Sequence, residues 1–328
     1  MGRKTSDWKS VLKADPTSWL LESDSPAIQF FTLRDILDQQ EDDLEKLKGD
    51  IPRSLDVKLL FSKEDINGGP FWSRPNGDIY WGTFSTGSVL WFLAEAGLTK
   101  DDPRIQGLAE FLFGYQSEEG FFKLGPRGPG WWSCFTATVL GALWRFGYIN
   151  DERVNRGINW LFRTQRLDGG WYCTKNALKG GPKERLDSCP NSVLNVLWTF
   201  MTIPELRSRG ELVPAMEFLL HHWETKRPIP NVDRGRYGIG SRFKWIRYPL
   251  FEYHLLKYVY ILSHYDHALR DERFREAADL LLSKQDDQGR WIIDKPYKGW
   301  EDFEFGQKGK PSRWATLNAL RVLKRMRD

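Results

Sequence analysis

Apolar residues recur along the chain at three- and four-residue spacing, and two kinds of helical stretch alternate. The first kind is amphipathic and runs into a glutamine, a glycine and an aromatic: RGINWLFRTQRLDGGW (Arg156 to Trp171), REAADLLLSKQDDQGRW (Arg275 to Trp291) and GLAEFLFGYQSEEGFF (Gly107 to Phe122). Two degenerate copies align behind these, SLDVKLLFSKEDINGGPFW with Lys63 in the glutamine slot and PAMEFLLHHWETKRP with His222 near it. The slots Lys63, Gln116, Gln165, His222 and Gln285 fall at intervals of roughly fifty to sixty residues, the length of one helix hairpin with its loops.

The second kind follows each such turn and is apolar nearly all round, as a helix buried on both faces must be. These stretches cover residues 83–98, 134–148, 189–200, 249–262 and 311–326. The N-terminus supplies a further pair, a short helix over 7–13 and then SPAIQFFTLRDIL (25–37), which echoes KPSRWATLNALRVL near the C-terminus. The pattern predicts an all-α chain, an (α/α)6 toroid of inner and outer helices. Residues 1–328 are expected to form one domain with hairpins over about 7–40, 53–98, 104–148, 152–203, 211–265 and 271–326. First and last repeats would then touch.

RGINWLFRTQRLDGGW resembles the QW motif of squalene–hopene and oxidosqualene cyclases, and through its repeats the resemblance spans essentially the whole chain. It implies the α/α toroid, with the glutamine bonded to backbone at a helix end and the tryptophan packed on the outer ring. The segments WLLESDSPAIQFFTLRDIL and KPSRWATLNALRVLKR are also similar to those of prokaryotic proteins with prenyltransferase and squalene-oxidase repeats, a group for which the resemblance implies no established reaction. Fold does not carry function.

Net charge changes this picture little. With 48 Lys and Arg against 44 Asp and Glu the formal charge is +4, and the two signs are interleaved. That argues against nucleic acid as partner. The sequence holds no apolar run long enough to span a bilayer. Cys134, Cys173 and Cys189 are too widely spaced for a disulfide framework or a CxxC zinc site, so a reducing compartment is the natural reading. A cytoplasmic monomer is expected. The 16 tryptophans require a structural cause.

The acids of terpene chemistry are missing. The resemblance would supply DxDD to protonate an alkene or epoxide, or DDxxD to hold magnesium against a diphosphate, and neither motif occurs. Protein prenyltransferases, by the same resemblance, place a zinc-binding Asp-x-Cys at an inner-helix start. Here ERLDSCPNSVL offers Asp187 and Cys189, with Lys183 and Arg185 upstream and Pro190 where an aromatic would stand. Zinc needs at least three protein ligands. The third should come from the next inner-helix start, where the register gives Arg247 and Tyr248, and His254 falls about two turns deeper. Asp187 and Cys189 are thus the catalytic candidates and, with His254, the weak metal candidates. The competing reading makes Asp187 a helix cap and Cys189 a small buried residue.

Trp81, Trp131, Trp132, Trp245, Tyr248 and Trp314 sit at or just before inner-helix starts, and Arg247 and Arg313 join them. Together they form an aromatic and basic mouth suited to an apolar, isoprenoid-type ligand, or else the top of the core with solvated loop charges. Trp72, Trp171 and Trp291 are read as repeat staples. A pair of opposed carboxylates for glycan cleavage could come only from Asp187 with Glu301 or Glu304. No HExxH or Gly-x-Ser-x-Gly pattern is present. The leading reading is a terpenoid-cyclase or prenyltransferase-like protein binding an isoprenoid-type small molecule in its central cavity. The alternatives are a non-catalytic scaffold that binds a peptide or protein, and a zinc-dependent prenyl transferase. No cofactor other than that zinc is implied.

Overall fold

The computed structural model describes residues 8–80, 82, 84–125, 132–171, 188–226, 229–231, 235–237 and 240–326. The chain divides into two compact units: residues 1–59 with 241–250 and 254–328, and residues 60–240 with 251–253.

In the first unit the chain begins with a 3-10 turn at Trp8–Val11 and continues through α1 (Thr17–Leu21), α2 (Pro26–Phe31), a π-helical turn at Thr32–Ile36, α3 (Glu45–Asp50) and the start of α4 (Leu55–Phe61). The expected helix over 25–37 is therefore two helical forms joined end to end. The second unit holds α5 (Thr86–Glu95), α6 (Pro103–Phe113), α7 (Ser133–Arg145), α8 (Glu152–Arg163), α9 (Pro190–Phe200), the short α10 (Pro204–Arg207) and α11 (Val213–Thr225). A small antiparallel hairpin pairs Ile229–Asn231 with Gly235–Tyr237. The chain then completes the first unit with α12 (Leu255–Leu262), α13 (Asp266–Leu269), α14 (Glu272–Leu282) and α15 (Arg313–Arg325).

The two helix types separate as the hydrophobic pattern requires. Every residue of α5 and α12 is buried. In α6, α8 and α14 burial follows a single stripe, as in Phe274, Ala277, Ala278 and Leu281 of α14, the three-and-four spacing of a helix packed on one side. The amphipathic helices share an N-terminal device that the apolar pattern did not disclose. Asp102, Asp151 and Asp271 cap α6, α8 and α14 by accepting the backbone N–H two residues on, from Arg104, Arg153 and Arg273. Each arginine returns to its own cap in an ion pair, at 2.5, 2.8 and 2.7 Å.

The turn residues after these helices tie the chain together. Indole N–H groups of Trp72, Trp171 and Trp291 donate to the carbonyls of Leu60, Leu161 and Leu281 at 3.3, 2.7 and 2.8 Å. Gln116 donates to Gly120 and Arg153 carbonyls, and Gln165 to Gly169 and Glu211 carbonyls. Gly169 has φ +81°, and a Cβ there would lie 2.4 Å from the Pro214 backbone, so the turn presses directly on the entry to α11.

Within the first unit the first and last repeats do touch. Arg321 donates to the Asp35 carboxylate through Nε at 2.7 Å. Lys324 donates to the Asp35 carbonyl at 2.8 Å. Lys13 N–H reaches Gln285 at 3.2 Å. Phe31 lies under two guanidinium groups, Arg34 at 4.8 Å and Arg321 at 4.7 Å, a cation–π arrangement.

One expectation fails on register. Residues 249–254 are not helical and α12 begins at Leu255. His254 is therefore the N-cap of α12, its Nδ1 accepting the Lys257 N–H at 3.2 Å, and not a residue two turns inside the helix.

Candidate functional site

A cleft of about 160 Å³ lies in the first unit, lined by the turn at 23–25, Ile28, Leu55, Asp56, Glu304, Arg313 and Trp314. Its walls come from three separated stretches: the start of α2, the first turn of α4 and the loop leading into α15. Trp314 is only 2% exposed and its ring stacks on Tyr248, centroids 5.3 Å apart and planes inclined by 8°. Phe305 meets the same tyrosine edge-on at 4.8 Å. The aromatic wall is thus packed from behind, while Leu55, 77% exposed, leaves an apolar rim in water.

Glu304 is fixed by the start of α15. One carboxyl oxygen accepts the Ser312 hydroxyl at 3.0 Å, and the other accepts the Arg313 backbone N–H. Ser312 is itself the N-cap, accepting the Ala315 N–H at 3.3 Å. A carboxyl so placed would ordinarily be held low by its donors and the helix end. Burial instead pushes Glu304 up to about 7, Asp56 works in the same direction, and the Arg313 and Ser312 bonds only moderate the rise. Asp56 is also raised, by burial. Glu304 therefore exchanges its proton near neutral pH, where a carboxyl can serve as hydrogen-bond donor or acceptor.

Of the residues expected to bind ligand, Arg313 and Trp314 line this cleft and Tyr248 supports it from behind. Arg313 donates through Nε to the Trp19 carbonyl at 3.3 Å, its guanidinium lies 4.6 Å from the Trp19 ring, and its charge acts on Glu304. Arg247 is buried over the Tyr297 ring at 3.5 Å and donates to the Lys295 carbonyl at 2.8 Å. Trp245 carries Lys295 at 4.6 Å. Trp132 stands elsewhere, in the second unit, as the N-cap of α7 against Tyr80 at 4.6 Å. Trp81, Trp131 and Asp187 lie outside the described residues.

Cys189 is buried at the N-cap of α9, its backbone N–H donating to the Trp171 carbonyl at 3.1 Å. His254 is fully buried, and burial, then the charges of Arg247, Lys257 and Arg242, hold its imidazole well below its ordinary value. Among the described residues no three His, Cys, Asp or Glu side chains converge to hold a metal. No helix among them is long and apolar enough to cross a membrane.

In the sequence Glu304 is a possible partner for Asp187 or for the basic loop charges, and Asp56 carries no signal of its own. Asp56 is an ordinary first-turn acid of α4 until the first unit brings it opposite Glu304.

No family model matches the chain. It is 30% identical over 128 residues to a squalene–hopene cyclase of Bradyrhizobium diazoefficiens, a match covering 34% of this chain and 19% of the relative. It is 28% identical over 124 residues to a squalene–hopene cyclase of Zymomonas mobilis, covering 36% of this chain and 18% of that one. The matched part thus amounts to about a fifth of each relative's length. Among solved structures, a protein from Actinoplanes overlaps 98% of this chain and 99% of its own at 17% identity, with a TM-score of 0.43. The type II terpene cyclase MstE from Scytonema overlaps 92% of this chain and 87% of its own at 13% identity and 0.42. The sequence matches and the alternating helix pairs support a place for this all-α chain in the squalene-cyclase-like superfamily.

Proposed function

We propose that the chain is a terpenoid-cyclase-like protein that binds an apolar, isoprenoid-type small molecule at the aromatic cleft of its first unit. The carrying observation is the Trp314 ring, locked by its stack on Tyr248, beside the Glu304 carboxyl in one small cleft. A volume of about 160 Å³ is below the usual few hundred Å³ of a complete ligand pocket. The cleft accordingly takes a head group and the first isoprene units of a chain. Native mass spectrometry against a panel of C10 to C20 prenyl compounds tests this. Retention of a prenyl compound, reduced at least fivefold in Trp314→Phe, is the expected result; no retained prenyl compound would end the proposal.

A further inference from the structure

We infer that this cleft is built for an uncharged, hydroxyl-bearing isoprenoid, a prenyl alcohol and not a prenyl diphosphate, with the Glu304 carboxyl donating a hydrogen bond to the ligand oxygen. The inference rests on the isoprenoid reading above.

Charge decides the head group. Asp24, Asp56 and Glu304 all face the cleft, and among the described residues none of them forms an ion pair. The one cation in the lining, Arg313, donates through Nε to the Trp19 carbonyl, lies on the Trp19 ring and partly offsets the charge of Glu304. Arg290 approaches the same ring at 5.3 Å, and its charge is paired with Asp286 at 2.8 Å. A diphosphate would meet Asp24, Asp56 and Glu304 against Arg313 as the one cation of the lining, an excess of acids over bases that opposes binding. An alcohol brings no charge to this place.

The donor role follows from what holds Glu304. Each of its oxygens already accepts one protein hydrogen bond, from Ser312 and from the Arg313 N–H. Burial and the neighbouring Asp56 favour the protonated form. A ligand whose chain lies on Trp314 and Ile28 removes water from the carboxyl and favours the neutral form further. The protonated carboxyl then has a hydrogen to give and the hydroxyl oxygen has lone pairs to receive it. Proton and ligand bind together.

The test is calorimetric titration of the full chain with geraniol, geranyl diphosphate and 1-decanol at pH 6 and pH 8. With a carboxyl titrating at about 7 and only its neutral form binding, geraniol affinity falls about tenfold between the two pH values. Glu304→Gln, a neutral isostere that can keep both capping bonds, should bind geraniol with no such step. Asp56→Asn, which removes the charge that helps raise Glu304, should move the step to lower pH. Geranyl diphosphate binding as tightly as geraniol, or a pH-independent parent, would overturn the head-group assignment while leaving the isoprenoid reading intact. Equal binding of 1-decanol would overturn the isoprenoid reading. Binding of neither alcohol would overturn both.

Discussion

A carboxyl at a helix N-terminus is usually stabilised in its charged form, and Glu304 departs from that rule because burial and Asp56 outweigh its donors. The sign of the consequence follows from proton counts. Between the ordinary glutamate value and about 7 the folded chain holds a proton that the unfolded chain has lost. Stability therefore falls as pH rises through that window. Glu304→Gln should lose this dependence and exceed the parent in stability at pH 8 by on the order of 2 kcal/mol, with little difference at pH 4. Thermal unfolding of both proteins at the two pH values checks it; an equal offset at both would show that Glu304 does not hold a proton near neutrality. Nothing in the sequence disclosed this. Glu304 and Asp56 are 248 positions apart, and only the fold places their charges within range of each other.

At the scale of elements, much of the structure was legible in advance. The alternation of one-sided and all-round apolar helices separates α6, α8 and α14 from α5, α7, α9, α12 and α15 because burial on one face or two leaves different periodicities. Boundaries were less legible. The apolar run 249–262 does not show that its first six residues are non-helical, because the same residues can be buried in a loop, and His254 moved from interior to cap as a result. The repeated Asp-x-Arg at 102–104, 151–153 and 271–273 was visible in the sequence but carries no hydrophobic signal. Hydrogen bonds from Arg153 and Arg273 are the main influence holding Asp151 and Asp271 below the usual carboxylate range. Their stabilisation is present above the ordinary aspartate value and lost as pH falls through the lowered one. Asp271→Ala should cost about 1 kcal/mol at pH 7, and the difference from the parent should shrink toward pH 3 in urea titrations. Gly169→Ala, which combines a left-handed backbone with a Cβ pressed on Pro214, should cost about 2 kcal/mol or more.

At the scale of the molecule, the echo between residues 25–37 and the C-terminal helix became contact within the first unit. Asp35 is where that contact is tightest: burial works to raise its carboxyl, and Arg321 and Arg34 outweigh it and hold it low. Removing Arg321 leaves the mostly buried Asp35 carboxylate with Arg34 alone as its counter-charge. Arg321→Met should therefore destabilise the chain by about 2 kcal/mol or more in urea unfolding, and Asp35→Asn with Arg321→Met should recover part of that loss. The same joining of first and last repeats brings the 23–25 turn and α4 to the loop before α15, which is how a ligand cleft arises from stretches with no shared motif. The most direct measurement is a crystal structure of the chain soaked with geraniol at pH 6. An isoprenoid along Trp314 with its oxygen within hydrogen-bond distance of Glu304 is the expected result. Ligand bound elsewhere while this cleft stays empty would contradict it.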